Sequence, residues 1–332
     1  VKVVVHHRLE AVGRTAWEHL RASARLRAPF LSWTWQQEWV QAFASDRRLE
    51  IRTVEDAEGH VIGVLPMFEA APGLQRIIGG ADVSDYLDVL AVAGREEDVW
   101  TALLQSREAE RDVWQLHAVP AVSPTVVALP ALAAACGLSA TASVEERCPV
   151  LDLPPTWDEY LATLPSKHRH ELQRKTRRLR REAGDARVSV ARRRADIETR
   201  FGDFFDLHRR SRVGKERFMD ARMERFFRRA VGELADAGGA ALWFLDLPNG
   251  PAAGFVVLEW ERTVGLYNSG FHPDRAALAP GLVLLLHVIE DAILRGTRRF
   301  DFLRGEERYK YEFGPQPEEV FGVRIGPGET TA

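Results

Sequence analysis

The order of helices and strands in the second half of the chain restricts its fold more than any single motif. Residues 156–164, 166–184, 196–212 and 220–236 read as helices. Three strands follow at 240–247, 252–261 and 263–271, the first two joined by the turn Pro248-Asn249-Gly250. An apolar helix at 282–294 and a strand at 299–303 come next. Helices, an antiparallel meander, then one helix and one strand make an α+β order; a doubly wound sheet would alternate strand and helix throughout.

The first half repeats this order loosely. A strand at 1–7 precedes helices at 14–25 and 30–43, paired strands at 49–54 and 60–68, and a strand at 86–92. A helix at 96–108, a strand at 112–118, a buried helix at 126–138 and a strand at 144–153 complete it, and a short strand at 320–325 closes the chain. Trp35, Trp39 and Phe43 fall on one helical stripe, expected to be core, with Ser32 or Thr34 as N-cap. Thr156 with Glu159 three residues on makes a capping box. At 332 residues two domains are expected, 1–145 and 146–332, each a mixed, mostly antiparallel sheet flanked by helices.

Composition excludes several classes. Cys136 and Cys148 are too few for a disulfide framework or a cysteine zinc site and suit a reducing, cytoplasmic setting. The opening VKVVVHHRLE is too short and charged for a signal peptide, and the longest apolar run, 126–138, is broken by Pro130 and too short to span a bilayer. A net charge of −3 demands no polyanionic partner. Residues 167–181 are locally basic, however, with Lys167, Arg169, Arg174, Lys175, Arg177, Arg178, Arg180 and Arg181 opposed by Glu171 and Glu182 over a seam of Leu172 and Leu179. That helix either faces solvent or binds RNA phosphates. It lacks aromatic residues to stack on bases, so sequence-specific reading is not expected.

The stretch 268–314 concentrates chemistry. Pro280 tolerates a helix start and Gly281 permits close backbone approach. The free amides and positive dipole end of the helix that follows invite a phosphate or carboxylate. The segments WQQEW, SDYLDVL, LHRRSR, APGLVLL and DFLRGEERYKYEFG, in that order across 30–321, resemble the CelD/BcsL-type acetyltransferase-like family, which has the GNAT fold. That family is related to the Fem-type peptidyltransferases that use aminoacyl-tRNA.

The resemblance implies tandem GNAT-like domains with the working cleft in the second. Strands 263–271 and 299–303 would part around the pantetheine arm of acetyl-CoA or another acyl-CoA. Its pyrophosphate would rest near Ala279, Pro280 and Gly281, with Leu282 and Tyr309 completing the donor contacts. RAALAPGL carries one glycine where the usual GNAT phosphate loop has several, which keeps aminoacyl-tRNA open as donor and the basic helix open as its contact. The acceptor would be the amine of a small molecule or sugar.

Acyl transfer needs a donor for the developing oxyanion, a neutral amine and a stabilised leaving group. Lys310 resembles the lysine that Fem-type proteins place before a closing Phe-Gly, here Phe313-Gly314, and would meet a phosphate or oxyanion; a surface lysine is the plain alternative. Tyr267 could protonate a departing thiolate and Asn268 orient a carbonyl, unless both only pack at a strand end. Asp301 would point away from Phe300 and Phe302, as base or orienter, or as the partner of Arg299 or Arg304. His208 and Arg212 share a helix face and could bind an acidic acceptor or a phosphate, and Asp85 and Tyr86 could reach the acceptor. The spacing of Asp82, Asp85 and Asp88 is not that of a calcium loop, so no metal is expected. No Ser/Cys–His set is recognisable, which points to direct transfer. A non-catalytic module binding RNA or protein is the remaining alternative.

Overall fold

The structure, a computed structural model, describes residues 1–107, 112–211 and 215–328. The chain forms two compact units, Val1–Arg147 with residues from Glu318 onward, and Cys148–Pro317.

The first unit is built from β1 (Lys2–His6), α1 (Arg14–Ser23), α2 (Trp33–Phe43), β2 (Leu49–Glu55), β3 (Val61–Ala71), β4 (Leu74–Ile77), β5 (Leu90–Ala91), α3 (Glu96–Gln105), β6 (Val113–Pro120), α4 (Pro124–Val127), α5 (Leu129–Ala135) and the start of β7 (Leu138–Asp152). Its sheet runs β1-β2-β3-β4-β6, then the closing strand of the chain (Gln316–Pro327), then β7. The β2–β3 hairpin turns where Asp56 Oδ1 accepts from the N–H groups of Glu58 and His60 at 3.1 and 2.8 Å. Trp35 and Trp39 are buried as the helical stripe requires, and the Ser32 side chain caps α2 by accepting from Trp35 N at 3.2 Å.

Three expectations are corrected in this unit. The strand expected at 86–92 shrinks to Leu90–Ala91. The loop before it bonds to itself instead: Ser84 Oγ donates to the Gly79 carbonyl and accepts from Trp35 Nε1, and Asp88 accepts from Val89 N. The helix expected at 126–138 is two short helices meeting at Ala128, with Val127 71% exposed, so it is not a buried rod. The closing strand, expected in the second domain, pairs with β6, Val320 opposite Pro120 and Ile325 opposite Trp114. An alternating strand carries its faces in its sequence but not the identity of its neighbour.

The second unit takes the end of β7 and adds α6 (Trp157–Thr163), α7 (Ser166–Ala183), β8 (Arg187–Ala191), α8 (Arg194–Ser211), α9 (Lys215–Phe218), α10 (Ala221–Asp236), β9 (Ala240–Leu247), β10 (Gly250–Trp260), β11 (Thr263–Phe271), α11 (Pro280–Leu294) and β12 (Arg299–Asp301). The strand order is β7-β12-β11-β10-β9-β8, antiparallel except for β11 with β12. Side chains alternate between two apolar layers. Trp243, Leu245, Phe255, Val257, Leu266 and Phe300 pack with Leu284, Leu285, Val288 and Ile289 of α11. On the other side Phe204 and Phe205 of α8 meet Phe227 of α10, ring centroids 6.3 Å apart in each case. Each such ring contributes about 1.5–3 kcal/mol by leaving water. Gly270 lets β11 reach α8: a Cβ there would lie 2.5 Å from His208 N. Among the described residues no helix is long and apolar enough to cross a membrane.

Candidate functional site

β11 and β12 pair over only three positions, Thr263 with Arg299, Val264 with Phe300 and Gly265 with Asp301. β12 ends there, whereas β11 continues to Phe271. The edge of β11 therefore parts from its parallel neighbour after Gly265. Its other edge carries a bulge, Leu266 facing Val257 and Asn268 facing Val256, which leaves Tyr267 as the extra residue. The chain then winds through a 3-10 turn, Pro273–Leu278, and enters α11 at Pro280.

Ala279, the residue before α11, has φ 50 and ψ 47, a left-handed conformation costly for a residue with a Cβ. No side chain caps this helix start, and Pro280 has no N–H to satisfy. A Cβ at Gly281 would meet nothing within 4 Å. Beside this end lies a cavity of about 280 Å³, lined by Ser211 of α8, Phe255 of β10, Ser269, Gly270 and Phe271 of β11, Ala276, Ala279, Pro280, Gly281, Leu282, Glu307 and Tyr309. All five residues expected to contact the acyl donor line it. Ser211, Ser269 and Glu307 were not singled out from the sequence, although Glu307 lies in the closing motif three residues before Lys310.

Lys310 does not line the cavity. It is 3% exposed, and its Nζ donates to the carbonyls of Phe302, Arg304 and Gly305 at 3.1, 2.9 and 2.8 Å, with the Leu303 carbonyl at 3.5 Å. Glu307 Oε2 is 2.9 Å away. Three N–H groups facing five acceptors commit the ammonium to the turn. In this arrangement Lys310 holds the turn rather than meeting a ligand. Asp301, 1% exposed, works from the other side by accepting from Leu303 N at 2.8 Å. Leu303 has φ 55, so the two charges hold a left-handed residue in place.

The remaining expected residues scatter. Tyr267 stacks on Phe227 with ring centroids 5.4 Å apart, and Asn268 Oδ1 accepts from Ser269 N at 3.0 Å; neither lines the cavity. His208 is 2% exposed between the rings of Phe204 and Phe218, behind Gly270. It does not line the cavity. Arg212 lies outside the described residues. Asp85 and Tyr86 belong to the first unit, 8% and 6% exposed, with Tyr86 against Phe30.

The first unit has its own polar centre. Asp88 accepts from Ser123 Oγ, from Thr125 Oγ1 at 2.5 Å and from Val89 N at 2.8 Å, and Trp100 Nε1 donates to Thr125 Oγ1 at 2.8 Å. Burial pushes its carboxyl up to about 6 against the pull of these donors, and Glu96 adds to the rise. The cavity beside it is about 110 Å³. Among the described residues no group of three or more His, Cys, Asp and Glu is placed to hold a metal.

Much of the basic charge on α7 is paired internally. Arg174 meets Glu171 at 2.7 Å, Lys175 meets Glu312 at 3.0 Å, and Arg178 and Arg181 meet Glu182 at 3.0 and 2.8 Å. The Arg174 guanidinium holds Glu171 down at about 2. Lys167, Arg177 and Arg180 are exposed.

Residues 166–311 match the family described as the acetyltransferase (GNAT) domain, a stretch from α7 through Tyr311 that contains the whole cavity. No curated protein matches the sequence. Among solved structures, FemX is similar with a TM-score of 0.65 at 12% identity, over 98% of this chain and 97% of that one. L-PGS from Bacillus licheniformis is similar with a TM-score of 0.57 at 12% identity, over 95% and 93%. A tandem GNAT protein from the clavulanic acid biosynthesis pathway has a TM-score of 0.51 at 14% identity, over 100% and 99%. At these identities the likeness is one of fold: a tandem GNAT architecture with mixed, mostly antiparallel pairing.

Proposed function

We propose that this protein is an N-acyltransferase that takes an acyl group from an activated carrier, most simply acetyl-CoA or another acyl-CoA, and passes it directly to an amine. One observation carries the reading: β11 parts from β12 beside an uncapped helix start, and one cavity touches both. An unpaired strand edge offers backbone groups to the carrier's amide-bearing arm, and the start of α11 offers a positive dipole end to its phosphates. The amine nitrogen forms the new C–N bond, the carrier's C–S bond breaks, the nitrogen loses a proton and the thiolate gains one. Tyr267 and Asn268, expected from the sequence to serve the thiolate and the carbonyl, lie outside the cavity lining on the bulged stretch just before Ser269, so any part they take requires the carrier to extend past Ser269 along β11. Lys310 and Asp301 support the reaction by fixing the turn between β12 and Tyr309.

The test is release of free thiol from acetyl-CoA with a panel of primary amines and aminosugars. Amine-dependent release is expected. Absence of both release and acetyl-CoA binding, in folded protein, contradicts acyl-CoA as donor and leaves the aminoacyl-tRNA reading or a non-catalytic module.

A second reading, transfer of an aminoacyl group from aminoacyl-tRNA, draws on the fold likeness to FemX and on the exposed Lys167, Arg177 and Arg180. Filter binding of charged tRNA, lost in the double variant Arg177→Glu, Arg180→Glu, is its expected signature. Equal retention by wild type and variant contradicts it.

A further inference from the structure

The cavity beside α11 is apolar on most sides, with Phe255, Phe271, Leu282 and Tyr309 as walls. Glu307 is the one charged side chain among its described lining residues. A carboxylate does not suit a wall that receives only an acetyl group. It suits a cation, and apolar walls strengthen that attraction by lowering the local dielectric. The side chain is 36% exposed, with Oε2 turned 2.9 Å from Lys310 Nζ.

Lys310 does not cancel this charge by itself, because its ammonium is shared with the Phe302, Arg304 and Gly305 carbonyls. A carboxylate has about four acceptor positions, enough for Lys310 and a ligand together. Gly305 supplies the room: its φ is 103, and a Cβ there would lie 2.7 Å from Glu307 Oε2. Held 2.9 Å from the Lys310 ammonium, the carboxylate is placed for recognition of a second cation.

On the acyl-transfer reading, we propose that Glu307 receives the ammonium group of an aminated substrate in this cavity and that Lys310 is the positioning residue that aims it. The ammonium could belong to the acceptor amine, bound before it loses its proton, or to the α-amino group of an aminoacyl donor. Either way the substrate joins a positive head to an apolar or acyl body.

The test titrates wild type and Glu307→Gln with acetyl-CoA and two matched pairs of probes. Gln keeps the volume and an oxygen for Lys310, and thermal unfolding checks that the fold survives. Hexylamine against hexan-1-ol, both with CoA present, probes the acceptor; puromycin against N-acetylpuromycin, which lacks the ammonium, probes an aminoacyl donor. We expect one ammonium probe to bind wild type and to bind the variant about 10- to 100-fold more weakly, the range for a charge-assisted hydrogen bond, while its neutral twin does not distinguish the two proteins. Loss confined to hexylamine assigns the acceptor; loss confined to puromycin assigns the donor. Lys310→Met, or Gly305→Ala if that variant does not fold, is expected to lower the preference for ammonium over neutral twin in the same probe; an unchanged preference overturns the positioning role. Ammonium probes that fail to bind, or that bind both proteins equally, overturn the proposal for Glu307. If acetyl-CoA still binds in that case, the acyl-transfer reading stands without it; if acetyl-CoA also fails, both fall.

Discussion

Each unit holds a carboxylate beside a cavity, and the two are handled in opposite ways. In the first, Asp88 is surrounded by uncharged donors, Ser123, Thr125 and the Val89 amide, and the space beside it is small. In the second, Glu307 sits against an ammonium that four backbone carbonyls also surround, at the wall of a larger cavity. Neutral donors hold a carboxylate without balancing its charge, so burial raises Asp88 to about 6. A counter-charge keeps Glu307 next to space that a ligand can enter. The first carboxylate is held by its own neutral donors; the second stands at the wall of a cavity.

The largest expected effect breaks the second centre. Lys310→Met leaves four carbonyls and Glu307 facing a hydrocarbon, and denaturant unfolding should show a loss of about 3–5 kcal/mol. A loss below about 1 kcal/mol would mean that the ammonium is not holding the turn.

Asp88→Asn probes the first centre and should act in the opposite sense at neutral pH. A carboxyl raised from 3.8 to about 6 by folding binds its proton more tightly in the folded state. Its contribution is full below pH 4 and is lost as pH rises through 6, by about 2–3 kcal/mol. Wild type should therefore lose stability across that window relative to Asp88→Asn, as read from unfolding free energies at pH 4 and pH 8. Parallel pH profiles for the two proteins would contradict the assignment.

Ala118 and Ala279 sharpen the contrast with a smaller effect. Both have left-handed φ, 53 and 50, one in each unit. Replacement by Gly should stabilise each by about 1 kcal/mol, since the Cβ penalty disappears. Only Ala279→Gly, at the cavity, should change acetyl-CoA affinity. Smallest of all, Arg177→Glu with Arg180→Glu should shift stability by no more than about 0.5 kcal/mol, as exposed charges away from the core do. A larger loss would show that this face of α7 is part of the fold.

Much of the fold was legible because periodicity encodes burial. The α2 stripe, the Ser32 cap, the 240–271 meander and the entry into α11 all follow from local pattern. The start of α11 was legible as a helix entry because Pro280 and Gly281 announce one, and Tyr309, expected from the family resemblance, lines the same cavity. What failed depends on partners distant in sequence. The stretch 86–89 reads as the start of a strand, yet Ser123 and Thr125 draw Asp88 into a loop. The closing strand gives no sign that β6 is its neighbour. Lys310 resembles an active lysine or, more plainly, a surface one; that carbonyls of residues 302–305 converge on it cannot be read from the sequence. Glu307 was passed over because its contact with Lys310 arises from that same convergence.

The central claim is that the open end of α11 and the parted edge of β11 form the seat of an acyl carrier. Gly281→Phe tests it most directly, because Gly281 lines the cavity and a Cβ there meets nothing within 4 Å, so the fold should survive while the space beside it is reduced. Calorimetric titration with acetyl-CoA should show binding to wild type and its loss in Gly281→Phe at an unchanged melting temperature. Equal binding by both proteins would place the carrier elsewhere and contradict the account.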